Sequence, residues 1–488
     1  MTDQAPVPQS FAARIKELAA EKPDAPAVSC ENDSLTWGAL HRRTNRIARA
    51  LAKLGVRHGD LVTIGLPNGV GFIEAAFACW KLGATPQPIS WRLPAAELRE
   101  VVELAASPVV IARADIVVDR SRVDIDGLLA LSDDEADLPD AVSPSWKAPT
   151  SGGSTGKPKL ILSGAPSVVA AAAGGLWRLD ADTVALMPGP LYHNGPFGSA
   201  IAAMLAGGHL VLTPRFDAEA TLAAVARHKA TWLYLVPTMM SRIWRLPEET
   251  RAGYDVSSLR TVWHLAAPCP PWLKEAWIGW LGGEVIMELY AGTEAQAITV
   301  ISGTEWLTHR GSVGRVAAGQ MKIVKADGSE AGPDEVGEIY MKPADGAPAT
   351  YHYRGADARA LTEGWESLGD IGRFDAEGFL YLADRRTDMI LVGGSNVYPA
   401  EVEAAIDEHP LVQSSCVIGL PDEDLGARVH AIVQPRPGLD IGDLMRHLEG
   451  RLVSYKRPRS VELIDQPLRD EAGKVRRSQL REARLAQA

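Results

Sequence analysis

Short apolar runs alternate with helically spaced apolar residues along the N-terminal part of this chain, and this alternation constrains the fold more than any other feature. A strand-like run at 61–66 is followed by an apolar helical pattern at 72–82 and by a second strand-like run at 86–89. Short apolar runs at 109–111 and 116–118 continue the series. Because strands separated by helices pair in parallel through crossover connections, we predict doubly wound α/β sheets.

The pattern changes after Gly311 to alternating strands and Gly/Asp turns, for example at 321–324 and 336–341. Alternation without helical spacing predicts a separate β-rich subdomain. A charged, turn-prone segment at 384–388 then interrupts the pattern, and the residues after it are typical of a small α+β domain with a basic tail. We therefore predict a domain boundary at this segment.

The overall composition excludes several classes of protein. With 488 residues the chain is too long for one core, and a net charge of −11 argues against a nucleic-acid-binding protein, whose binding surface is basic. No signal peptide is visible, and glycines interrupt the most apolar stretch, at 196–212, so we expect no integral membrane association. The four cysteines are scattered and form no metal-binding pair, which favours a reducing, cytoplasmic location.

The segment 150–159 combines three glycines, four hydroxyl side chains and two lysines, groups that suit a polyphosphate cradle. It does not fit the phosphate loop of nucleoside triphosphatases, because only three residues separate Gly152 from Gly156. In addition, Pro158 stands where that loop has its magnesium-binding hydroxyl. A flexible Gly/Ser linker is the alternative interpretation of this segment alone.

Four further sites carry groups that suit a nucleotide site, although each has a structural alternative. Thr293 and Glu294 supply a hydroxyl and a hard carboxylate for Mg²⁺ and phosphate, or they begin a helix. Asp370 can accept hydrogen bonds from the hydroxyls of a ribose, or it closes an Asp-Gly turn. The glycines of 393–399 allow close approach of a ligand or a tight turn, and Lys474 is either a ligand-binding or a solvated lysine of the basic tail.

His193 follows a proline-rich turn, where a single histidine is commonly structural. The sequence contains no Gly-x-Ser-x-Gly nucleophile turn and no zincin helix motif, so nothing marks this histidine as part of a catalytic triad. Trp263, His264, Met239 and Met240 can line an apolar pocket, but residues of these types near strand ends also suit ordinary core packing.

Seven segments, taken together and in order, resemble the adenylate-forming superfamily of acyl-CoA synthetases, aryl-CoA ligases, adenylation domains and beetle luciferases. They are residues 151–159, 290–294, 311–315, 369–370, 384–388, 393–403 and 473–477. The resemblance implies a large N-terminal AMP-binding domain over 1–385 and a small mobile C-terminal domain over 386–488. It also implies two half-reactions: a carboxylate attacks the α-phosphate of ATP, and a nucleophile, often the thiol of CoA, then displaces AMP.

The resemblance implies catalytic roles for four residues. Lys474 would reach in from the small domain and bridge the carboxylate and the α-phosphate oxygens, where charge has to be neutralised. Thr293 would hold the α-phosphate, and Glu294 would carry Mg²⁺. His193 would stand at the mouth of the acyl pocket.

Binding residues are implied in the same way. The implied phosphate-binding segment consists of Ser151, Gly152, Gly153, Ser154, Thr155, Gly156 and Lys159, with Ser154, Thr155 and Lys159 on the β- and γ-phosphates. The implied adenine site consists of Ala267, Pro268, Tyr290, Ala291 and Gly292, and the ribose site of Asp370 and Arg385. Gly393 and Gly394 would border the CoA tunnel. The implied acid-binding residues are His193, Asn194, Met239, Trp263 and Leu265.

The sequence departs from the family pattern at Leu160, Ala291 and Thr387, the last of which lies at the implied hinge. Leu265 replaces a glycine beside the acyl pocket, which favours a compact or aromatic acid over a long straight chain. We therefore expect an ATP-dependent acid–CoA ligase that uses Mg²⁺, acts on a small carboxylic acid and exists as a monomer or homodimer. The alternatives are an adenylating enzyme with a carrier-protein thiol, an amine or another non-CoA nucleophile as acceptor, and a non-catalytic nucleotide-binding protein.

Overall fold

A computed structural model of the protein describes residues 9–116, 118–152, 158–169, 173–385, 388–392, 395–422, 424–470 and 473–486. For residues 151, 152, 173, 174, 384 and 385 it describes the backbone alone. The chain forms a large N-terminal domain of α/β sheets with a β-rich segment, and a smaller α+β C-terminal domain. The predicted fold class is therefore confirmed.

The first part of the chain builds a four-stranded parallel sheet and the helices around it. Its elements are α1 (Phe11–Glu21), β1 (Pro26–Cys30), β2 (Asp33–Thr36), α2 (Trp37–Lys53), β3 (Leu61–Gly65), α3 (Val70–Lys81), β4 (Thr85–Pro88), α4 (Ala95–Ala105), β5 (Val109–Ala112), β6 (Ser121–Val123), α5 (Ile125–Leu131) and β7 (Thr150–Gly152). The sheet has the order β4–β3–β5–β6 with parallel pairs throughout. Residues 116 and 118, which were predicted to lie in a strand, lie in none, and residue 117 is outside the described residues. The strand that pairs in parallel with β5 is β6, because the chain must first return to the start of the sheet.

The second part of the chain builds the main parallel sheet. Its elements are β8 (Pro158–Ser163), α6 (Ala173–Trp177), β9 (Val184–Met187), α7 (Asn194–Leu205), β10 (His209–Leu212), α8 (Ala218–His228), β11 (Trp232–Leu235), α9 (Pro237–Trp244), α10 (Glu248–Ala252), β12 (Thr261–His264), α11 (Pro271–Leu281), β13 (Ile286–Tyr290) and β14 (Ile298–Ser302). The strands β1–β10–β9–β11–β12–β13 are parallel neighbours. Their carboxyl ends therefore meet along one edge, which is where open α/β sheets bind ligands.

The third part is the β-rich segment. Its elements are α12 (Gly303–Thr308), β15 (Ser312–Ala318), β16 (Gln320–Val324), β17 (Gly337–Lys342), β18 (Tyr351–Arg354), β19 (Arg359–Ala360), β20 (Glu366–Ser367), β21 (Asp370–Phe374) and β22 (Leu380–Arg385). These strands pair in the antiparallel sense, as the Gly/Asp turns predict. Strand β15 pairs with both β14 and β22, so the segment continues the main sheet and is not separate from it.

The C-terminal domain has its own sheet and its own core. Its elements are β23 (Ile390–Val392), β24 (Ser395–Val397), α13 (Pro399–Asp407), β25 (Val412–Asp422), β26 (Gly426–Pro435), α14 (Ile441–Glu449), β27 (Ser460–Leu463) and α15 (Arg477–Leu485). Val402, Val417, Val433 and Leu444 are buried in a cluster distinct from the core of the large domain. None of the helices in the described ranges is long and apolar enough to cross a membrane.

Candidate active site

A cavity of about 3180 Å³ opens at the carboxyl ends of the parallel strands. The segments that follow β9, β11, β12 and β13 line it, together with residues 473–477 of the C-terminal domain. The predicted site residues that line this cavity are Lys159, His193, Asn194, Met239, Leu265, Ala267, Pro268, Tyr290, Ala291, Gly292, Thr293, Glu294, Asp370 and Lys474. The fold therefore gathers groups that are far apart in sequence at one edge of the sheet.

His193 stands directly before helix α7, at the helix N-cap position, but its side chain makes no capping hydrogen bond. Its Nε2 is buried, has no hydrogen-bond partner among the described residues, and lies 4.0 Å from Oδ2 of Asp470. Burial and the nearby ammonium of Lys474 lower the pKa of His193 to about 3. The imidazole is therefore neutral near pH 7 and can take part in a hydrogen bond with a ligand in the cavity.

Lys474 reaches the cavity from a tight turn of the C-terminal domain. The backbone N–H of Lys474 donates to Oδ1 of Asp470, and the N–H of Asp470 donates to the carbonyl of Lys474, both over 2.9 Å. The preceding Gly473 has a φ of +75°, and a Cβ there would lie 2.7 Å from Oγ1 of Thr238 in the large domain. A glycine is thus required where this turn meets the large domain. The turn also places the Lys474 ammonium close enough to His193 to lower the pKa of the imidazole.

Glu294 follows β13, and its carboxylate is nearly buried. The hydroxyl of Tyr353 donates to its Oε1, and Nζ of Lys159 lies 3.6 Å from the same oxygen. The Lys159 ammonium also lies 3.8 Å from the centre of the Tyr353 ring. Tyr353 was not predicted as a site residue, since nothing in the local sequence of its strand connects it with Glu294.

The surroundings of Glu294 fit a magnesium ion that is shared with a nucleotide. Mg²⁺ is commonly bound by one or two carboxylates together with substrate phosphates and water. Glu294 supplies one carboxylate at the cavity wall, and the described ranges contain no cluster of three or more acidic, histidine or cysteine side chains. Within these ranges the remaining ligands would therefore have to come from phosphate oxygens and water.

The residues predicted for the nucleoside come from strands that are not neighbours in the sheet, and side-chain contacts connect them. Tyr290 ends β13, Asp370 begins β21, and the Tyr290 hydroxyl donates to Oδ2 of Asp370 over 2.7 Å. Asp370 is paired in register with Arg385, whose side chain lies outside the described residues. The backbone at Ala267 and Pro268 lines the same cavity after β12.

The two ends of the predicted phosphate-binding segment pair with each other as antiparallel strands. Strand β7 pairs with β8 through Ser151 opposite Lys159 and Gly152 opposite Pro158. The predicted residues Gly153, Ser154, Thr155 and Gly156 lie outside the described residues, and so do Gly393 and Gly394 of the predicted CoA tunnel and Thr387 of the hinge. Their roles stay predictions.

Leu265 occupies space at the start of helix α7. A Cβ on Gly195 would lie 3.2 Å from Cδ1 of Leu265 and 2.6 Å from the hydroxyl oxygen of Tyr234. Met239 lines the cavity and is otherwise buried. Trp263, in contrast, is completely buried behind the wall, and its indole N–H donates over 3.2 Å to the carbonyl of Trp177, which does line the cavity.

Lys147 is a buried lysine on the cavity wall that the sequence reasoning missed. Its ammonium donates to Oδ1 of Asn194 and lies 4.3 Å from the centre of the Trp146 ring. Burial lowers the pKa of Lys147 to about 7, and the charge of Glu294 partly opposes this shift. One feature of the sequence could have pointed to Lys147: it is a lysine in the short segment that leads into the hairpin of β7 and β8.

Comparison with known proteins places the chain in a family. The family described as AMP-binding enzyme matches residues 15–347, and the AMP-binding enzyme C-terminal domain matches residues 401–474. A feruloyl-CoA synthase from Amycolatopsis sp is 32% identical over 94% of this chain and 96% of its own length. An indoleacetate–CoA ligase from Aromatoleum aromaticum is 31% identical over 96% of this chain and 97% of its own.

A solved structure has the same architecture. It is the o-succinylbenzoate CoA synthetase from Bacillus subtilis in complex with its acyl-adenylate intermediate, with a TM-score of 0.83, 26% identity, and coverage of 97% of this chain and 98% of that chain. The same synthetase has also been solved with ATP and a magnesium ion, and that structure has a TM-score of 0.82. The sequence, the fold and the gathered motifs agree, and the chain belongs to the adenylate-forming family of AMP-binding enzymes.

Proposed function

We propose that this protein is an AMP-forming acid–CoA ligase that converts a small carboxylic acid, ATP and CoA into acyl-CoA, AMP and pyrophosphate. The observation that carries the proposal is that Lys474 of the C-terminal domain and His193 of the large domain line one cavity, which Glu294 also lines. The feruloyl-CoA synthase and the indoleacetate–CoA ligase match nearly the whole chain, which supports CoA as the acceptor.

In the first half-reaction a carboxylate oxygen of the acid attacks the α-phosphorus of ATP, and the bond from that phosphorus to the bridging oxygen breaks. Pyrophosphate leaves, and the acyl-adenylate remains. Both reactants are anionic, so the step needs positive charge at the point of attack. We assign this role to the Lys474 ammonium, while the neutral His193 orients the acid without adding a charge.

The nucleotide would be held by groups on both sides of the cavity. We assign Asp370 and Arg385 to the ribose, the backbone at Ala267 to the adenine, and Thr293 to the α-phosphate. Magnesium bound at Glu294 together with the phosphates would neutralise part of their charge. Lys159, which already lies near Glu294, would then pair with the leaving pyrophosphate.

In the second half-reaction the thiol of CoA loses its proton and attacks the acyl carbon, and AMP leaves. We assign the segment 393–399 to this step, as the border of the pantetheine tunnel. We propose that the C-terminal domain, 386–488, is mobile and rotates relative to the large domain, 1–385, between the two half-reactions. We also propose a monomer or homodimer in the cytoplasm, where thiols stay reduced, in keeping with the four unpaired cysteines.

The substitution Lys474→Ala tests the proposal. We expect acid-dependent pyrophosphate release to fall by about 100- to 1000-fold, because removing one stabilising group from a reaction centre has effects of this size. Transfer of the acyl group from a preformed acyl-adenylate to CoA should persist. Lys456→Ala is the matched control, since Lys456 lies in the same domain and pairs with Glu401.

Equal loss of both half-reactions in Lys474→Ala would contradict the assigned role of Lys474. Absence of acid-dependent pyrophosphate release from the unmodified enzyme, over aromatic, short, medium and polycyclic acids, would contradict the proposed function itself. Acyl-adenylate formation without transfer to CoA would point to another acceptor.

A further inference from the structure

Lys147 is held firmly in place at the cavity wall. Its carbonyl accepts a 3.0 Å hydrogen bond from the N–H of Ser163. The neighbouring Trp146 stacks on Phe197 with ring centres 5.9 Å apart, and its carbonyl accepts a hydrogen bond from the indole of Trp80. The Lys147 side chain is only 9% exposed, so its ammonium is anchored and not a solvated surface group.

The described residues satisfy only part of the hydrogen-bonding capacity of this ammonium. A lysine has three N–H donors, and Oδ1 of Asn194 is the acceptor that the described part of the chain provides. Burial of a charged group without a full set of partners is unfavourable, so a ligand that supplies further acceptors would stabilise the charged form of Lys147. Next to Asn194, the Nε2 of His193 is also buried without a hydrogen-bond partner among the described residues.

The wall beyond these polar groups is apolar. Asn194 is the first residue of α7, and the cavity-lining residues further along this helix are Gly195, Pro196, Gly198, Ile201, Ala202 and Leu205. A wall of this kind suits the hydrocarbon part of a ligand and not a polyphosphate, which would lose its hydration there. The nucleoside residues Tyr290 and Asp370 lie on other strands of the site.

We propose that Lys147, supported by Asn194, binds a second oxygen function of the acid substrate, so that the enzyme selects acids that carry a carboxylate, keto or hydroxyl oxygen besides the reacting carboxyl group. This inference rests on the proposed function, because it assigns the substrate class of the same cavity. Lys147 is thus a specificity-determining residue. It donates hydrogen bonds to the acyl part of the substrate and takes no part in the bond changes.

The test compares matched pairs of acids with the intact enzyme and its variants. Each parent monocarboxylic acid, aromatic or aliphatic, is paired with its dicarboxylic, keto and hydroxy derivatives, and kcat/KM for pyrophosphate release is measured. The unmodified enzyme should prefer the derivative in at least one pair. Lys147→Met should lower kcat/KM for that derivative by about 10- to 100-fold, leave the parent acid unchanged, and leave KM for ATP unchanged.

Two further variants make the comparison specific. Lys147→Gln keeps a hydrogen-bond donor without the charge and should give an intermediate preference for the derivative over its parent acid. It replaces Lys147→Met if circular dichroism shows that the methionine variant does not fold. Lys81→Met removes another buried lysine that lies outside the cavity lining and should leave the order of preference among acids unchanged.

Three results would overturn the inference while leaving the proposed function standing. The first is an active enzyme that prefers no derivative over its parent acid. The second is a Lys147→Met variant that slows parent and derivative equally. The third is a Lys147→Met variant whose KM for ATP rises with every acid, which would assign the amine to phosphate binding. If the unmodified enzyme releases no pyrophosphate with any acid, the proposed function fails and this inference fails with it.

Discussion

The hydroxyl of Tyr290 donates a 2.7 Å hydrogen bond to Oδ2 of Asp370, and this contact joins the end of β13 to the start of β21. The two residues were predicted separately, one for the adenine and one for the ribose. If both assignments hold, the residue proposed to stack on the base also orients the carboxylate proposed to accept the ribose hydroxyls.

Tyr290→Phe should raise KM for ATP by about tenfold, because it keeps the ring and removes a hydrogen bond to a charged group. The effect on kcat should be smaller. Tyr381→Phe is a matched control, since Tyr381 donates to Oδ2 of Asp375 over 3.1 Å outside the cavity lining. Steady-state kinetics of pyrophosphate release at varied ATP provide the measurement, and equal values for both variants would remove Tyr290 from nucleotide binding.

Glu294→Gln should raise the magnesium concentration needed for half-maximal pyrophosphate release by at least about tenfold, because an amide is a far weaker ligand for a hard cation than a carboxylate. Glu366→Gln is the control. Glu366 accepts a hydrogen bond from Tyr351, as Glu294 does from Tyr353, but it does not line the cavity. An unchanged magnesium titration in Glu294→Gln would place the ion elsewhere.

Arg245 connects the two domains in the arrangement seen here. Its Nη2 donates to the carbonyl of Asp407 over 3.0 Å, and its Nη1 donates to the carbonyl of Val412. Arg245→Ala should therefore slow adenylation by about 3- to 10-fold, through the loss of these hydrogen bonds, and should affect transfer from a preformed adenylate less.

The control for Arg245 is Arg251→Ala, since Arg251 stacks on Trp244 within the large domain. The two half-reactions are measured separately for each variant. A larger loss in the transfer step than in adenylation would show that the contact of Arg245 belongs to the thioester-forming arrangement.

Lys81 should make stability depend on pH. Its ammonium is buried against His41 and Asn45, and burial lowers its pKa to about 7, with partial opposition from the charge of Asp137 and a further decrease from Arg49. Between pH 7 and about 10 the unfolded chain then binds more protons at this site than the folded chain, so the free energy of unfolding rises with pH.

Relative to Lys81→Met, the unmodified protein should gain up to ~1.4 kcal/mol in the free energy of unfolding per pH unit over this range. Urea unfolding at a series of pH values measures the free energy of unfolding of both proteins. Groups that titrate in the same way in both proteins cancel in the difference. Parallel stability curves for the two proteins would show that Lys81 keeps its ordinary pKa in the fold.

Leu265→Gly should extend the range of acids towards longer chains. The Leu265 side chain packs against the start of α7 at Gly195, so its removal opens space beside the acyl part of the substrate. A series of straight-chain acids of increasing length, compared by kcat/KM for pyrophosphate release, checks this expectation. An unchanged length profile would mean that other side chains set the limit.

Much of this architecture could be predicted from local features. The amphipathic spacing of Phe11, Ile15 and Leu18 predicts helix α1, and all three side chains are buried in it. A threonine directly before an amphipathic pattern predicts a helix N-cap, and Thr36 caps α2 with its hydroxyl accepting a hydrogen bond from the N–H of Ala39. Periodicity and capping are readable because they depend on residues within one or two turns of each other.

Other relationships could not be predicted in this way. The contact of Tyr353 with Glu294 depends on how β18 pairs with β8, and the burial of Trp263 behind the wall depends on which face of β12 it occupies. The wrong strand prediction at residues 116 and 118 has the same origin, because an apolar run shows that a strand is possible but not where the chain can pair.

The sequence by itself determined the succession of strands and helices and the seven family motifs, because both are written in neighbouring residues. Only the tertiary structure decided that Lys147 meets Asn194 inside the cavity and that Arg245 holds the C-terminal domain against the large one. Such pairs join residues that are distant along the chain, and their contact is set by the packing and register of whole sheets rather than by local propensity.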